Sequence, residues 1–316
     1  MTDLAYGFDA QGHRGARGLM PENTLASFAH ALSIGVSTIE LDVGVTKDNV
    51  IVVVHNPKLE PEITRNAQGE WLTETGPAIR SLNLEQLKSY DVGRLNPDSR
   101  YGDRFPEQVA VDGQHIPTLV EVLELIKRSD NDQVRLNIET KLRPIEPELF
   151  MQPAPFIKNL LKDIRQHGFQ DRVTIQSFDW RTLLESQQQA PGIPTSYLTV
   201  QQNWHDNILQ GEPGPSPWTA GLDIDTFEGG VPEMIKTAGG SIWSSYYREV
   251  SPEKIKQAHD LGLQVKVWTV NEESTMEAMI SMGVDGIITD YPDRLNRVLN
   301  KLGKVTPSAT PVSHGH

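Results

Sequence analysis

The sequence contains no cysteine. That excludes disulfides, a thiolate nucleophile and cysteine-ligated zinc. No apolar run reaches the length of a bilayer span, so no stable membrane insertion is expected. Positive charge is also in deficit. With 29 Lys and Arg against 42 Asp and Glu, the net charge is -13, which argues against a general nucleic-acid binder but leaves room for a local cationic pocket. Met1–Ala10 has neither the basic nor the apolar region of a secretory signal. A cytoplasmic location is therefore expected, or a periplasmic one if a presequence has been removed. Gly12-His13-Arg14-Gly15-Ala16-Arg17-Gly18 is glycine-rich but lacks the G-x-G-x-x-G spacing, so no dinucleotide site is expected.

What is present is a regular alternation. Nine short β-rich runs occur, at 8–13, 37–43, 50–55, 134–140, 173–178, 195–200, 240–245, 264–270 and 284–289. Helical patterns with end signals lie among them. Thr24–Ile34 ends at Gly35, and Thr118 precedes Leu119–Lys127. Ser251 caps a helix that starts with Pro252 and stops at Gly262. Asn271 is expected to cap the next, which Gly283 stops, and Pro292–Leu302 closes the domain. Such alternation over about 300 residues predicts one α/β domain, a TIM-type (β/α)8 barrel, over residues 1–304. Nine runs exceed eight, so one strand is accessory. Residues 56–115 are rich in Pro, Asn, Asp and Gly, with one helical pattern at 82–90, and read as an insertion after the third strand. Residues 201–217 are a second excursion. The tail, 305–316, is small, polar and proline-bearing, and is expected to be disordered.

In Ile39-Glu40-Leu41-Asp42-Val43 the two acids share one strand face and the apolar residues take the other. Two acids directed into a core repel each other and lose hydration. A divalent cation resolves both problems, and oxygen-only ligation favours calcium or magnesium over zinc. Leu136-Asn137-Ile138-Glu139-Thr140-Lys141 repeats the pattern: Glu139 completes a three-carboxylate site, Lys141 adds a positive charge, and Thr140 faces away.

His13 and His55 each end a strand run, and barrel active sites lie at the C-terminal ends of strands. His30, His115, His167, His205 and His259 are assigned to ordinary surface or satisfied positions, and His314 and His316 to the tail. His55 poses a geometric problem. Residues 43–49 are too few for a crossover helix, yet extended they reach roughly 23–25 Å, enough to return along a strand of about 17–20 Å. An extended return is therefore expected. A tight antiparallel turn would instead carry His55 to the far end of the barrel. Arg14 can bind phosphate oxygens bidentately, and it can also pair with Glu22.

These residues resemble the glycerophosphodiester phosphodiesterase family. The matching pieces are Gly12-His13-Arg14-Gly15, Pro21-Glu22-Asn23-Thr24, Ile39 to Val43, Thr46-Lys47-Asp48 and His55. Ile116 to Leu119, Ile138 to Lys141, Ser177-Phe178-Asp179, Val267 to Asn271 and Gly283 to Asp290 follow in order. The resemblance implies a metal-dependent enzyme, with calcium or magnesium, that cleaves a small glycerophosphodiester to glycerol 3-phosphate and an alcohol. It implies Glu40, Asp42 and Glu139 as metal ligands, His13 and His55 as the acid-base pair, and Arg14 and Lys141 as phosphate contacts. Phe178 and Trp268 are implied as pocket walls. The attacking group is water or the substrate's own glycerol hydroxyl. Where the family often has Asp after the second histidine, this chain has Asn56. Rival readings are a lysophospholipase D or sphingomyelinase-like barrel enzyme, and a barrel that binds such diesters without turnover.

Overall fold

In the computed structural model, which describes residues 7–314, all nine β-rich runs become strands of one sheet. The elements in order are β1 (Asp9–Gly12), α1 (Leu25–Ile34), β2 (Thr38–Val45), β3 (Ile51–Val53), α2 (Leu84–Leu87), α3 (Leu119–Arg128), β4 (Arg135–Thr140), α4 (Pro153–Gln166), β5 (Val173–Ser177) and α5 (Trp180–Gln189). They continue with β6 (Thr195–Thr199), β7 (Gln201–Gln202), β8 (His205–Asp206), α6 (Gly230–Thr237), β9 (Ile242–Tyr246), α7 (Pro252–Asp260), β10 (Gln264–Trp268), α8 (Glu273–Met282), β11 (Gly286–Thr289) and α9 (Pro292–Lys301). Strands β1, β2, β4, β5, β6, β9, β10 and β11 pair in parallel, and β1 closes the ring against β2 and β11. This is the (β/α)8 barrel. The outward residues of these strands, such as Ile39, Leu41, Val43, Leu136, Ile138, Val265 and Val267, join the helices in the main apolar core. The inward residues Asp9, Gln11, Glu40, Asn137, Gln176 and Lys266 are polar and bond to one another.

The ninth strand resolves the His55 problem in a way neither expected geometry allowed. The β2–β4 ladder ends at Val43↔Thr140, but β2 runs on to Val45. Its free end pairs antiparallel with β3, Val43 opposite Val53 and Val45 opposite Ile51. The turn therefore sits above the barrel rim, with Asn49 at φ 65°, and the chain descends only far enough for Val54 N–H to donate to the Asp42 carbonyl at 2.9 Å. The return is not extended. The turn is tight, yet His55 stays at the C-terminal end of the barrel strands because the hairpin is so short.

Most helix signals act as expected. The Thr24 side chain accepts from Ser27 N–H, Thr118 and Glu121 form a reciprocal capping box, and Ser251 caps the helix begun by Pro252. Asn271 does not cap α8, which starts after Glu272; its side chain is engaged by Thr289 and Asp290 instead. The helical pattern at 82–90 shortens to Leu84–Leu87, since Asn83 caps there and the Leu82 carbonyl accepts from Lys47 N–H.

Residues 54–118 carry a small second core around Leu59, Ile79 and Leu87. The described part of the tail, expected to be disordered, lies against the domain: Pro307 is buried, Thr310 N–H donates to the Leu32 carbonyl at 2.8 Å, and Asn131 Nδ2 donates to Thr310 Oγ1 at 3.0 Å. Composition alone misses this, because the partners lie on α1 and before β4, far away in sequence. Gly315 and His316 of the expected tail, and Met1–Tyr6, lie outside the described residues. Among the described residues, no helix is long and apolar enough to cross a membrane.

Candidate active site

Parallel register brings the three acids together. Glu40 lies opposite Asn137 and Asp42 opposite Glu139, so the inward face of two adjacent strands carries Glu40, Asp42 and Glu139. One oxygen from each lies within 4.8 Å of the others, and all three residues are buried. Burial and the neighbouring carboxylates push Glu40 well above the usual carboxylate range. Burial raises Glu139 to about 7 despite Lys141. Burial would also raise Asp42, but the charges of Arg14 and Lys141 and a hydrogen bond from Asn23 hold it low. Asp42 Oδ1 accepts no hydrogen bond, and Lys141 Nζ stands 3.6 Å away. Three crowded acids with an orphaned oxygen fit a hard divalent cation held by oxygen ligands.

The loop after β1 supplies the cationic side. Gly15, at φ 88°, leaves no room for a Cβ against Ser27, and Arg14 itself sits at φ 51°. This bend turns the Arg14 backbone N–H onto Glu40 Oε2 at 2.9 Å. The Arg14 guanidinium reaches Glu22 Oε1 at 2.6 Å and Asp42 Oδ2 at 3.2 Å while lining the cavity. Pairing with Glu22 and facing the site thus coexist. Glu22 also accepts from the Tyr101 hydroxyl, contributed by the insertion. Burial and the charge of Glu22 push that phenol up to about 12, so it remains a donor.

His13 Nδ1 lies 2.7 Å from Asp290 Oδ1, and its Nε2 lies 3.9 Å from Glu40 Oε2. Asp290 is gripped by Arg17 through Nε at 2.8 Å and Nη2 at 3.0 Å, and by Asn271 Nδ2 at 2.8 Å. Burial and the charge of Arg17 lower His13 to about 4, against the opposing pull of Asp290. Burial and the charges of Arg14 and Lys141 hold His55 well below its ordinary value, and its Nδ1 meets Asn56 Oδ1. Each ring has one nitrogen engaged by a fixed partner.

His13, Arg14, Glu40, His55, Glu139 and Lys141 line a cavity of about 730 Å³, with Asp42 and Asp290 buried behind them. Phe178 and Trp268 line it, with ring centroids 5.4 Å apart. The excursion at 201–217 adds Trp204 and His205 from the β7–β8 hairpin and Trp218 beyond it. His205 therefore leaves the surface class assigned to it: its ring packs 5.2 Å from Phe178. His115, His167 and His259 bond to Tyr90, Glu124 and Asp285, away from the cavity. The insertion lines the opposite wall with Glu60, Ile63, Tyr101 and Arg104. Arg17, Tyr101, Gln176 and Asp290 carried no site role in the sequence, and Asn271 was expected only as a helix cap. The matching pieces that end at Asn271 and Asp290 were the visible hint.

Residues 13–294 match the family model described as the glycerophosphoryl diester phosphodiesterase family. A glycerophosphodiester phosphodiesterase of Caldanaerobacter subterraneus subsp. tengcongensis is 30% identical over 291 residues, which cover 92% of this chain and 97% of that one. A solved structure from Silicibacter pomeroyi, described as a glycerophosphoryl diester phosphodiesterase, superposes with TM-score 0.84 at 38% identity, covering 96% of each chain. An Oleispira antarctica phosphodiesterase, solved with its product sn-glycerol-3-phosphate, shares the fold at TM-score 0.66 and 22% identity, covering 92% of this chain and 96% of that one.

Proposed function

The chain belongs to the glycerophosphoryl diester phosphodiesterase family and is a phosphoric diester hydrolase of glycerophosphodiesters; we propose that it works with a carboxylate-bound calcium or magnesium ion and two histidines as proton carriers, releasing glycerol 3-phosphate and an alcohol. The observation that carries this reading is the buried Glu40–Asp42–Glu139 trio, two of whose members line one cavity with His13, His55, Arg14 and Lys141. Those three acids would hold the cation, which supplies charge neutralisation at a phosphate oxygen. Arg14, oriented by Glu22, and Lys141, held by Glu139 at 2.7 Å, stabilise the remaining phosphate charge. His13, with Nδ1 fixed on Asp290, presents Nε2 to take the proton of the attacking oxygen. The Asp290 carboxylate stabilises the imidazolium that results. His55, protonated from solvent as the anionic phosphate enters beside it, gives that proton to the departing alkoxide, and His13 then releases the proton it took to solvent. Phe178, Trp268 and the β7–β8 hairpin wall the alcohol side.

A panel of glycerophosphodiesters tests the reading, assayed after EDTA and again with calcium or magnesium restored. Turnover lost to EDTA and regained with either ion is expected. Undiminished turnover in EDTA removes the metal. A second reading, cleavage of lysophospholipids, draws on one observation: Ile145 and Trp204, 65% and 63% exposed, give the cavity mouth an apolar rim. Comparing glycerophosphocholine with lysophosphatidylcholine separates the two.

A further inference from the structure

A chain of hydrogen bonds runs through the barrel from its N-terminal end to the metal-site acid Glu40. At its base is the ion pair of Asp9 with Lys266. Asp9 Oδ1 also accepts from Ser37 Oγ at 2.8 Å and Thr38 Oγ1 at 2.6 Å, and Oδ2 from Gln11 Nε2 at 2.7 Å. Asn137 Nδ2 then donates both to Gln11 Oε1 at 2.8 Å and to Gln176 Oε1 at 2.9 Å, and Gln176 Nε2 donates to Glu40 Oε1 at 2.8 Å. The three amides are at most 1% exposed, so water cannot substitute for a missing partner.

This chain has a sense that cannot be reversed. Asp9 is an acceptor only, surrounded by donors, so Gln11 must turn its NH₂ to Asp9 and its carbonyl oxygen to Asn137. Asn137 must then offer its NH₂, which leaves Gln176 facing it with a carbonyl oxygen and facing Glu40 with a donor. Flipping Gln176 would set its carbonyl oxygen against the Glu40 carboxylate and its NH₂ against that of Asn137. Flipping Asn137 to repair this would force Gln11 to turn its own carbonyl oxygen onto Asp9. Asn137 Oδ1 bonds to nothing. An orphaned buried acceptor is unfavourable, and here it is the consequence of one amide donating in two directions.

We propose that Asn137 and Gln176 are positioning residues for Glu40, carrying the hydrogen-bond polarity set at the Asp9–Lys266 pair up to the carboxylate. The proposal rests on the reading of Glu40 as a metal ligand. With Gln176 on Oε1 and the Arg14 backbone N–H on Oε2, the carboxylate is held in one rotation, as an acceptor, beside Asp42 and Glu139. Partners behind a metal ligand orient it in this way, and their loss weakens metal binding by about 10–100-fold.

Calcium binding to the full-length chain, measured by calorimetry, tests this without recourse to activity. Asn137→Asp keeps the shape and does not touch Glu40, but it presents only acceptors to both glutamines and so drives Gln176 to turn its carbonyl oxygen toward Glu40. Gln176→Met keeps the volume and removes the donor. Calcium affinity should fall by about 10–100-fold in both, while the metal-free variants still melt cooperatively. If Asn137→Asp does not fold, Gln176→Met decides alone. Wild-type affinity in a folded Gln176→Met overturns the positioning role, even if its melting temperature is lowered. No calcium or magnesium binding by the wild-type chain overturns the metal reading beneath it, which is a separate result.

Discussion

His13 and Asp290 meet at 2.7 Å, Nδ1 to Oδ1, although 277 residues separate them in the chain. The contact joins the first strand of the barrel to the loop after the last, and Arg17 grips the same carboxylate. Asp290→Asn therefore strands a buried guanidinium and loosens the histidine. A stability loss of about 3–5 kcal/mol is expected in urea unfolding. Displacement of His13 should lower kcat by about 100-fold. A variant within 1 kcal/mol of wild type would show that Arg17 does not depend on this partner.

Stability should depend on pH through His13. Its folded value is about 4 and its ordinary value 6.5, so between these limits the unfolded chain binds a proton that the folded chain does not. The stabilisation from the neutral ring is complete above about pH 6.5 and is lost as pH falls toward 4, by up to about 3 kcal/mol. Unfolding at pH 7 and pH 5 should show this loss in wild type and a smaller one in His13→Gln. An equal loss in both proteins would assign the dependence to other groups.

His13→Ala and His55→Ala should each reduce kcat by about 10²- to 10⁴-fold. The assay is steady-state hydrolysis of glycerophosphocholine with saturating metal. If both variants keep most of their activity, the proton-transfer assignment is wrong.

The hairpin that delivers His55 turns at Asn49, whose φ of 65° is left-handed. Asn49→Val should cost about 1–2 kcal/mol in thermal or urea unfolding, and Asn49→Gly should be tolerated. The valine variant should also lose activity, because Val54 and His55 follow the turn directly. Equal stability and activity in the two variants would mean that the turn does not control the position of His55.

Much of this architecture could be read from local pattern. Period-two alternation placed Glu40 and Asp42 on one face and Ile39, Leu41 and Val43 on the other, and the cap at Thr118 marked the start of α3. These features depend on residues within a few positions of each other. His55 was legible as a site residue, but its path was not. Whether β2 stops at the rim or projects beyond it depends on the length of its neighbour β4, which no window around Val43 contains. His205 failed for the same reason, since its role follows from where a two-rung hairpin lands relative to Phe178.

The amino-acid order alone determined the alternation of strands and helices, the clustering of acids at strand ends and the chemistry those residue types permit. Tertiary structure decided which strand stays outside the barrel, that the tail packs on α1, and that Asp290, held by Arg17 and Asn271, meets His13. It also decided that Gln11, Asn137 and Gln176 link Asp9 to Glu40. Closing the barrel brings the first strand against the last and makes the inward side chains of distant strands neighbours. Hydrogen-bond partners chosen across that closure leave no periodic trace in the chain.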